Sequence, residues 1–502
     1  MRRTRHAIPV LSVLTASAIM IVFYTKPAYA VIPSLLGPLQ GLLAILPQIL
    51  MVVLAGVAAF FSRRWWMMQF SRLVSARSRT KIMIGTLSLV VIGGSVAALI
   101  YIWRSADGYD VTTVADQSLQ TEGSAWPAFR GGLTRTGSAD QQPGPQIGEE
   151  LWVFRDLDFR AGSFSSSPAV VGNRLYVGSA QADIFSKGGV VYCLDAESGD
   201  MIWKFKTKRE IFSSPAVVDG KVYIGEGLHS DVDAELYCLD ASTGSLLWSF
   251  KTTSHVESSP TVVDGRVFFG NGTNGVYCVD AKTGEQIWSH PGLYVSVSPV
   301  VYDGSVYVGT GYGETGIYCL DADTGALKWE LHQDYPVWSS PSVSTGKIYF
   351  GVGNGNFLKS DENPYGKAIC VDAKTSEVIW EYEVGDSVLT AIAFSDGLVY
   401  FGSRDGSVYC LTADSGDLKW KQDTGEPVVS SPAVAGDYVY VGSDNGIVYC
   451  LDKSSGQLEW EYDTTITAPD GTSILSSPAV ANNKVYVGSS KLYFFCIGEQ
   501  SG

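Results

Sequence analysis

From about residue 149 to residue 498 the chain repeats a unit of roughly 40–50 residues, the period at which a repeat protein closes into a propeller or extends into a solenoid. The unit reads SSPAVVDGKVYIG, then a variable stretch, then LYCLDASTGSLLWSF. It holds four short runs of alternating apolar residues separated by Asp-Gly and D-A-x-T-G turns, the pattern of four antiparallel strands. The first anchor is Pro168, Pro215, Pro260, Pro299, Pro341, Pro432 and Pro478, with Ile392 in the proline place once. A glycine follows ten residues later each time, from Gly178 in the first unit to Gly488 in the eighth.

Cysteine and tryptophan give the same count. Cys193, Cys238, Cys278, Cys319, Cys370, Cys410, Cys450 and Cys496 hold one repeat position. Equivalent positions on sheets packed about 10 Å apart lie beyond the roughly 7 Å Cα separation a disulfide tolerates, so eight buried free thiols are expected. Ten residues after each of the first seven comes Trp203, Trp248, Trp288, Trp329, Trp380, Trp420 or Trp460. Cys496 has no such partner, whereas Trp152 precedes the first unit with no cysteine ahead of it. The last blade is therefore expected to take its outer strand from the start of the domain, which removes a free sheet edge. The fold class that follows is all-β: an eight-bladed β-propeller of four-stranded antiparallel blades over 149–498, with a short tail at 499–502.

The segment before it has the opposite composition. Residues 1–103 hold ten Lys and Arg and no acid, so the remainder carries 26 basic against 51 acidic residues, a net charge of −25. A surface that negative repels nucleic acid. MRRTRH, an apolar run and Ala28-Tyr29-Ala30 have the order of a signal peptide over 1–30. The stretches 35–61 and 82–103 are each long enough to cross about 30 Å of hydrocarbon, forming a membrane anchor over 31–104. The basic loop between them, 62–81, is placed in the cytoplasm by the positive-inside rule. The propeller then lies outside the cytoplasmic membrane. Gly93, Gly94, Ala97 and Ala98 form a small-residue pattern suited to helix–helix contacts, and 105–148, with no sustained periodicity, reads as a linker and lead-in.

The Y-C-L-D-A-x-T-G-x-x-x-W unit resembles the repeat of pyrroloquinoline-quinone (PQQ) dehydrogenases and their non-enzymatic relatives, in which the tryptophan docks one blade on the next. Trp126-Pro127-Ala128-Phe129-Arg130-Gly131 resembles the lead-in of BamB-like propellers. The chain departs from those in having no Cys before Cys193 to form a lipobox, and two spans instead. The dehydrogenase resemblance implies PQQ stacked on a tryptophan in the central funnel, Ca²⁺ held by carboxylate and amide oxygens, an Asp base and a disulfide between adjacent cysteines. No two cysteines here are closer than forty residues. Asp219, Asp264, Asp303 and Asp396 fall in Asp-Gly hairpins, and Asp240, Asp280, Asp321 and Asp372 in the docking motif, where carboxylates satisfy turn backbone. Asp361, Glu362 and Asn363 offer oxygens but lack the spacing of a calcium loop. His6, His229, His255, His290 and His332 show no metal-ligand spacing; the nearest constellation is His229 with Asp231 and Asp233, read as a solvated acidic loop. No catalytic residue is assigned.

Loop length points to a binding face. Proline to glycine and cysteine to tryptophan never change length, whereas glycine to cysteine varies from 8 to 19 residues and tryptophan to the next proline position from 11 to 18. Successive connections of an up-and-down sheet alternate ends, so both variable classes emerge together, on the face where a rigid scaffold carries recognition. Binding candidates there are Phe212, His229, Asp231, Tyr294, Tyr312, Trp338, Phe357 and Tyr365, with Phe185, Lys187, Glu314, Asp470 and Thr472 nearby. Trp338 is the aromatic expected to anchor a peptide, stack on a quinone or pack. The reading is a membrane-anchored, extracytoplasmic, non-catalytic scaffold for envelope or membrane proteins, with PQQ and Ca²⁺ expected only under the alternative, a PQQ-dependent dehydrogenase passing electrons to the membrane. A ligand sensor acting through the two spans is an intermediate reading. Protease added to intact spheroplasts is expected to digest or release the propeller and spare residues 62–81; protection of the propeller would overturn the orientation.

Overall fold

The computed structural model describes residues 111–113, 125–139, 142–158, 161–182, 187–229, 232–468 and 472–500, within the compact unit Asp107–Gly502. The signal, spans and basic loop expected before residue 105 lie outside them, as do Phe185, Asp231 and Asp470.

The described residues form eight antiparallel sheets, and the repeat accounts for four strands of each; the first sheet gains three more, at 111–113, 125–126 and 161–163. Blade two shows the plan: Ala216–Val218, Lys221–Gly225, Glu235–Asp240 and Leu246–Lys251 pair in sequence order. Its first hairpin turns through Asp219 and Gly220 at φ 51° and 69°, the left-handed pair that a two-residue turn matching strand twist requires. Its second turn is held by Asp240, whose Oδ1 accepts from the backbone N–H groups of Ser242 and Thr243 at 3.0 and 2.9 Å. The Asp residues of the hairpins and docking motif are thus structural, as their positions imply. Cys238 stands directly opposite Trp248 across the third and outer strands. In the last blade Trp152 of Glu149–Phe154 stands opposite Cys496 of Phe494–Gly498, so the two ends of the propeller sequence share one sheet. All eight cysteines are buried and free; burial pushes the Cys193, Cys238 and Cys278 thiols up to about 12, which keeps them protonated and inert.

Blades are tied at two radii. On the outside seven of the eight docking indoles donate to a carbonyl of the next blade, among them Trp203 to Ala241 at 3.1 Å, Trp288 to Ala322 at 3.0 Å and Trp380 to Ala413 at 2.9 Å. Trp152 closes the circle onto Ala196 of blade one at 3.3 Å. The indole lies against the turn glycine of that next blade, where a Cβ on Gly284 would come within 2.7 Å of Trp248. On the inside, the serine before each anchor proline accepts from the backbone N–H of its counterpart one blade earlier. The bonds run from Ser167 to Ser214, Ser214 to Ser259 and Ser259 to Ser298, each at 2.9 Å, and from Ser298 to Ser340 at 3.0 Å. They resume from Ala391 to Ser431, Ser431 to Ser477 and Ser477 back to Ser167. The step with no such bond is the one where Ala391, lacking a hydroxyl, stands in the serine place.

The lead-in, where composition suggests a linker, is built into this ring. Val111–Thr113 pairs outside the outer strand of blade one and Ala125–Trp126 pairs inside its innermost strand. The carbonyls of Pro127, Thr134, Thr136 and Gly137 then accept from Val217, Val343, Phe394 and Val434, on the innermost strands of blades two, five, six and seven. The segment thus occupies the axial channel. It leaves past the constant turns, where the Pro145 carbonyl accepts from Trp460 at 3.1 Å and takes the place of a blade in the docking scheme. Arg130 and Arg135 are buried at 2% and 1% exposure. Arg135 donates to the carbonyls of Pro299 and Ser259 at 2.8 Å and to the Thr261 hydroxyl at 2.7 Å. Burial draws both guanidiniums down to about 9, and for Arg130 the neighbouring Arg135 adds to the effect.

Ser298→Ala removes the acceptor of the buried Ser259 N–H and is expected to cost about 1–3 kcal/mol in urea denaturation. Ala391→Ser, which supplies a hydroxyl at the gap, is expected to raise the midpoint.

Candidate functional site

The variable loops surround the open end of the channel. The residue three before each anchor proline, or before Ile392, gives Ser165, Phe212, Glu257, Ser296, Trp338, Leu389, Val429 and Leu475, one per blade at one register position, so these eight ring the mouth. Five of the eight are apolar. Trp338, Leu389 and Val429, from the loops entering blades five, six and seven, are 8%, 3% and 4% exposed and pack together, with Tyr294 and Leu475 against them. The Trp338 ring lies 4.9 Å from Tyr312, edge to face, and 6.4 Å from His229, nearly parallel. Trp338 is therefore a packed member of a collar and not an exposed anchor, because the ring curvature brings the apolar side chains of neighbouring loops into contact.

A polar cluster is centred on blades two and three. His229, in the loop between the second and third strands of blade two, and Glu257, in the loop entering blade three, meet at 2.6 Å between Nδ1 and Oε1. The same carboxylate oxygen accepts from the His229 backbone N–H at 2.9 Å. The Glu257 bond holds the His229 imidazole above its ordinary 6.5. His255 lies beneath, fully buried, its ring 5.5 Å from that of His229, with Nε2 3.1 Å from the Ser296 hydroxyl. One ligand atom from each of His229, His255 and Glu257 lies within 4.8 Å of the others. Sequence spacing had left His255 and Glu257 out, since 26 and 28 residues separate them from His229. The signal that finds them is repeat register, which puts both in the connection from blade two to blade three. Asp233, with which His229 was grouped, is exposed at a φ of 61°.

Of the remaining candidates Tyr294 joins this cluster, its ring 5.8 Å from that of His255 and 6.4 Å from that of His229, whereas Phe357 and Tyr365 belong to the blade-five insertion. Phe212 is half-buried at its place in the ring. Tyr294 stacks edge-on against Tyr312 at 4.9 Å. Phe357 is 46% exposed in the blade-five insertion, and Tyr365 at the end of that insertion packs on Tyr335 at 5.0 Å. The insertion encloses a polar hollow of about 290 Å³ lined in part by Asp361, Glu362 and Asn363. Asp361 Oδ1 there accepts from the Asn363 N–H at 3.0 Å, a turn-forming role. Arg404 of blade six braces the insertion through the Phe357 carbonyl and the Ser360 hydroxyl, both at 3.3 Å.

A closed ring of eight four-stranded blades joined by tryptophan docking defines a PQQ-like propeller. The chain belongs to the family described as outer membrane protein assembly factor BamB, which it matches over residues 144–231, 225–361 and 316–502. It is 35% identical over 105 residues, 19% of this chain and 24% of the relative, to outer membrane protein assembly factor BamB of Moranella endobia (strain PCIT). It is 32% identical over 62 residues, 12% of this chain and 8% of the relative, to a lanthanide-dependent methanol dehydrogenase of Methylacidiphilum fumariolicum (strain SolV). These matches thus span a quarter or less of those relatives' lengths. The fold is that of BamB from Moraxella catarrhalis, with a TM-score of 0.54 at 19% identity over 71% of this chain and 99% of that one. It is also that of the quinohemoprotein alcohol dehydrogenase from Comamonas testosteroni, with a TM-score of 0.57 at 17% identity over 75% and 81%.

The mouth does not fit the PQQ and hard cation such relatives suggest. Trp338 packs on the chain's own His229 and Tyr312 where a quinone would stack. The donor set beside it is two imidazoles and one carboxylate, whereas Ca²⁺ takes six to eight oxygens.

Glu226, at the base of the His229 loop and fully buried, accepts from the Arg209 backbone N–H at 3.0 Å. Desolvation pushes its carboxyl from 4.5 up to about 7. A raised acid contributes stability that is complete below 4.5 and lost as pH climbs through 7. Glu226→Gln is expected to remove a pH dependence of about 3 kcal/mol between urea midpoints measured at pH 4.5 and pH 8.

Proposed function

We propose that this chain is a membrane-anchored, extracytoplasmic, non-catalytic scaffold that holds a membrane protein of the cell envelope by an apolar peptide segment on its variable-loop face. The observation that carries the reading is the distribution of exposed apolar side chains. The five most exposed among the described residues, Leu358, Leu157, Ile466, Val232 and Tyr312 at 90%, 83%, 80%, 58% and 53%, all sit in the variable connections, whereas those that follow the constant docking turns, such as Leu247, Ile287 and Leu418, are 46–48% exposed. On the constant hairpins the turn residues are small or polar: Ala, Asp, Glu, Asn, Gly, Ser, Thr and Lys. Apolar side chains left this far in water, concentrated on one face, mark an interaction surface. The family description, an outer membrane protein assembly factor, supports a membrane-protein partner. The basic, acid-free residues 1–103 support anchoring and an external propeller. The collar of Trp338, Leu389 and Val429 supports a role without quinone chemistry.

A photo-crosslinking residue at Tyr312 or Leu358 is expected to capture a membrane protein in native membranes. One at Lys282 or Lys374, in constant turns, is expected to capture none. Tyr312→Asp with Leu358→Asp should weaken that contact at least tenfold while the fold persists, since exposed loop substitutions usually change stability by under about 0.5 kcal/mol. Capture only from the constant turns would place the interface on the wrong face. Dye-linked alcohol oxidation by the purified chain supplied with PQQ and Ca²⁺ or a lanthanide, abolished by chelation, would establish the dehydrogenase instead.

A further inference from the structure

We infer that His229, His255 and Glu257 form a binding site for a divalent transition-metal ion of the zinc and copper class at the mouth of the channel. Each residue offers one ligand atom, and all three atoms lie within 4.8 Å of one another. A four-coordinate ion with bonds of about 2.0–2.2 Å holds its ligand atoms about 3.3 Å apart, so side-chain movements of about 1 Å gather the set. Two imidazoles with one carboxylate are the donors that borderline ions take, in the order that places copper and zinc above manganese and iron.

The surroundings are those of a built site. His255 is held from behind: its Nδ1 faces the Ser254 hydroxyl at 3.4 Å, and a Cβ on Gly272 would come within 2.4 Å of its Cε1. That contact to Ser254 orients the ring as outer-shell partners of metal-bound histidines do, and it leaves Nε2 on the side of Ser296 and the mouth. Glu257 is positioned by the His229 N–H. The first residue after the glycine of the second strand is Ser, Thr or Val in six blades, but Glu226 and Asn271 in blades two and three. Asn271 is fully buried, and neither polar atom of its side chain has a hydrogen-bond partner. Polar groups so buried carry a desolvation cost unless they are satisfied, and here they accompany the quadrant where, among the described residues, two imidazoles and a carboxylate gather. An ordinary ion pair needs only two groups, as in blade four, where His332 and Glu330 meet at 3.4 Å with no third ligand among the described residues. His229 is exposed, so the coordination position facing the mouth is open to water or to a carboxylate or imidazole of a ligand.

The test uses the full chain in detergent, stripped with chelator and titrated with Zn²⁺ by calorimetry. One ion per chain is expected to bind. His229→Ala and Glu257→Gln are each expected to weaken binding at least tenfold, while His332→Ala, which removes the other exposed His–Glu pair, leaves it unchanged. Cu²⁺ bound at the site lies beside the Trp338 ring, so saturable quenching of tryptophan fluorescence is expected in the wild type and is expected to shrink in Trp338→Phe. Absence of saturable Zn²⁺ uptake would overturn the site. So would equal affinity in the His229→Ala, Glu257→Gln double variant, or Cu²⁺ quenching that Trp338→Phe leaves intact.

Discussion

A four-stranded blade has two apolar faces and no means of covering either alone, so the fold depends on how one blade is fastened to the next. Tryptophan supplies the fastening on the outside. Its indole spreads over the turn glycine of the neighbouring blade while its N–H donates to a carbonyl beside that turn, at 2.9–3.3 Å around the ring. A side chain at the glycine would strike the indole, and the left-handed φ there, 73° at Gly284, suits glycine for a second reason. Blade five has Ser376 in that place at φ 61°, which shows that the geometry belongs to the docked turn and that glycine is its easiest occupant. The serine ring does the same near the axis, where backbone N–H groups have no strand on their inner side and must find partners.

Closing the circle by docking fixes one face and frees the other. Both constant turns take part in the fastening or in tight hairpins, so their lengths are held. The connections at the other end carry no such duty, and they hold the insertions, the exposed Leu358 and Ile466, and the histidine cluster. The lead-in adds to this asymmetry, because it fills the channel alongside the innermost strands and leaves past the constant turns. Arg130 and Arg135 hold it there through carbonyls of Pro432, Pro299 and Ser259, a use of fixed, planar donors for which arginine is suited.

Chemistry then concentrates at the mouth. Blades five to seven contribute Trp338, Leu389 and Val429 to it, and blades two and three contribute His229, Glu257 and His255. Neighbouring blades point their loops toward a shared axis. Residues from two connections therefore meet although neither connection alone contains a motif.

What the sequence by itself determined is the architecture: eight blades, four strands in each, buried free cysteines and the exchange of an outer strand that places Trp152 opposite Cys496. These are legible because they rest on local spacing repeated eight times, and alternation, turn residues and constant intervals each report the same period. The face carrying the variable loops follows from connection lengths in the same way. Only the tertiary structure decided which mouth residues touch. His255 and Glu257 join His229 across 26 and 28 residues, Trp338 turns into the collar instead of standing free, and residues 125–139, which have no periodicity of their own, thread the channel. Contacts of this kind are set by the curvature of the closed ring, which no single repeat encodes and which exists only once all eight blades have docked.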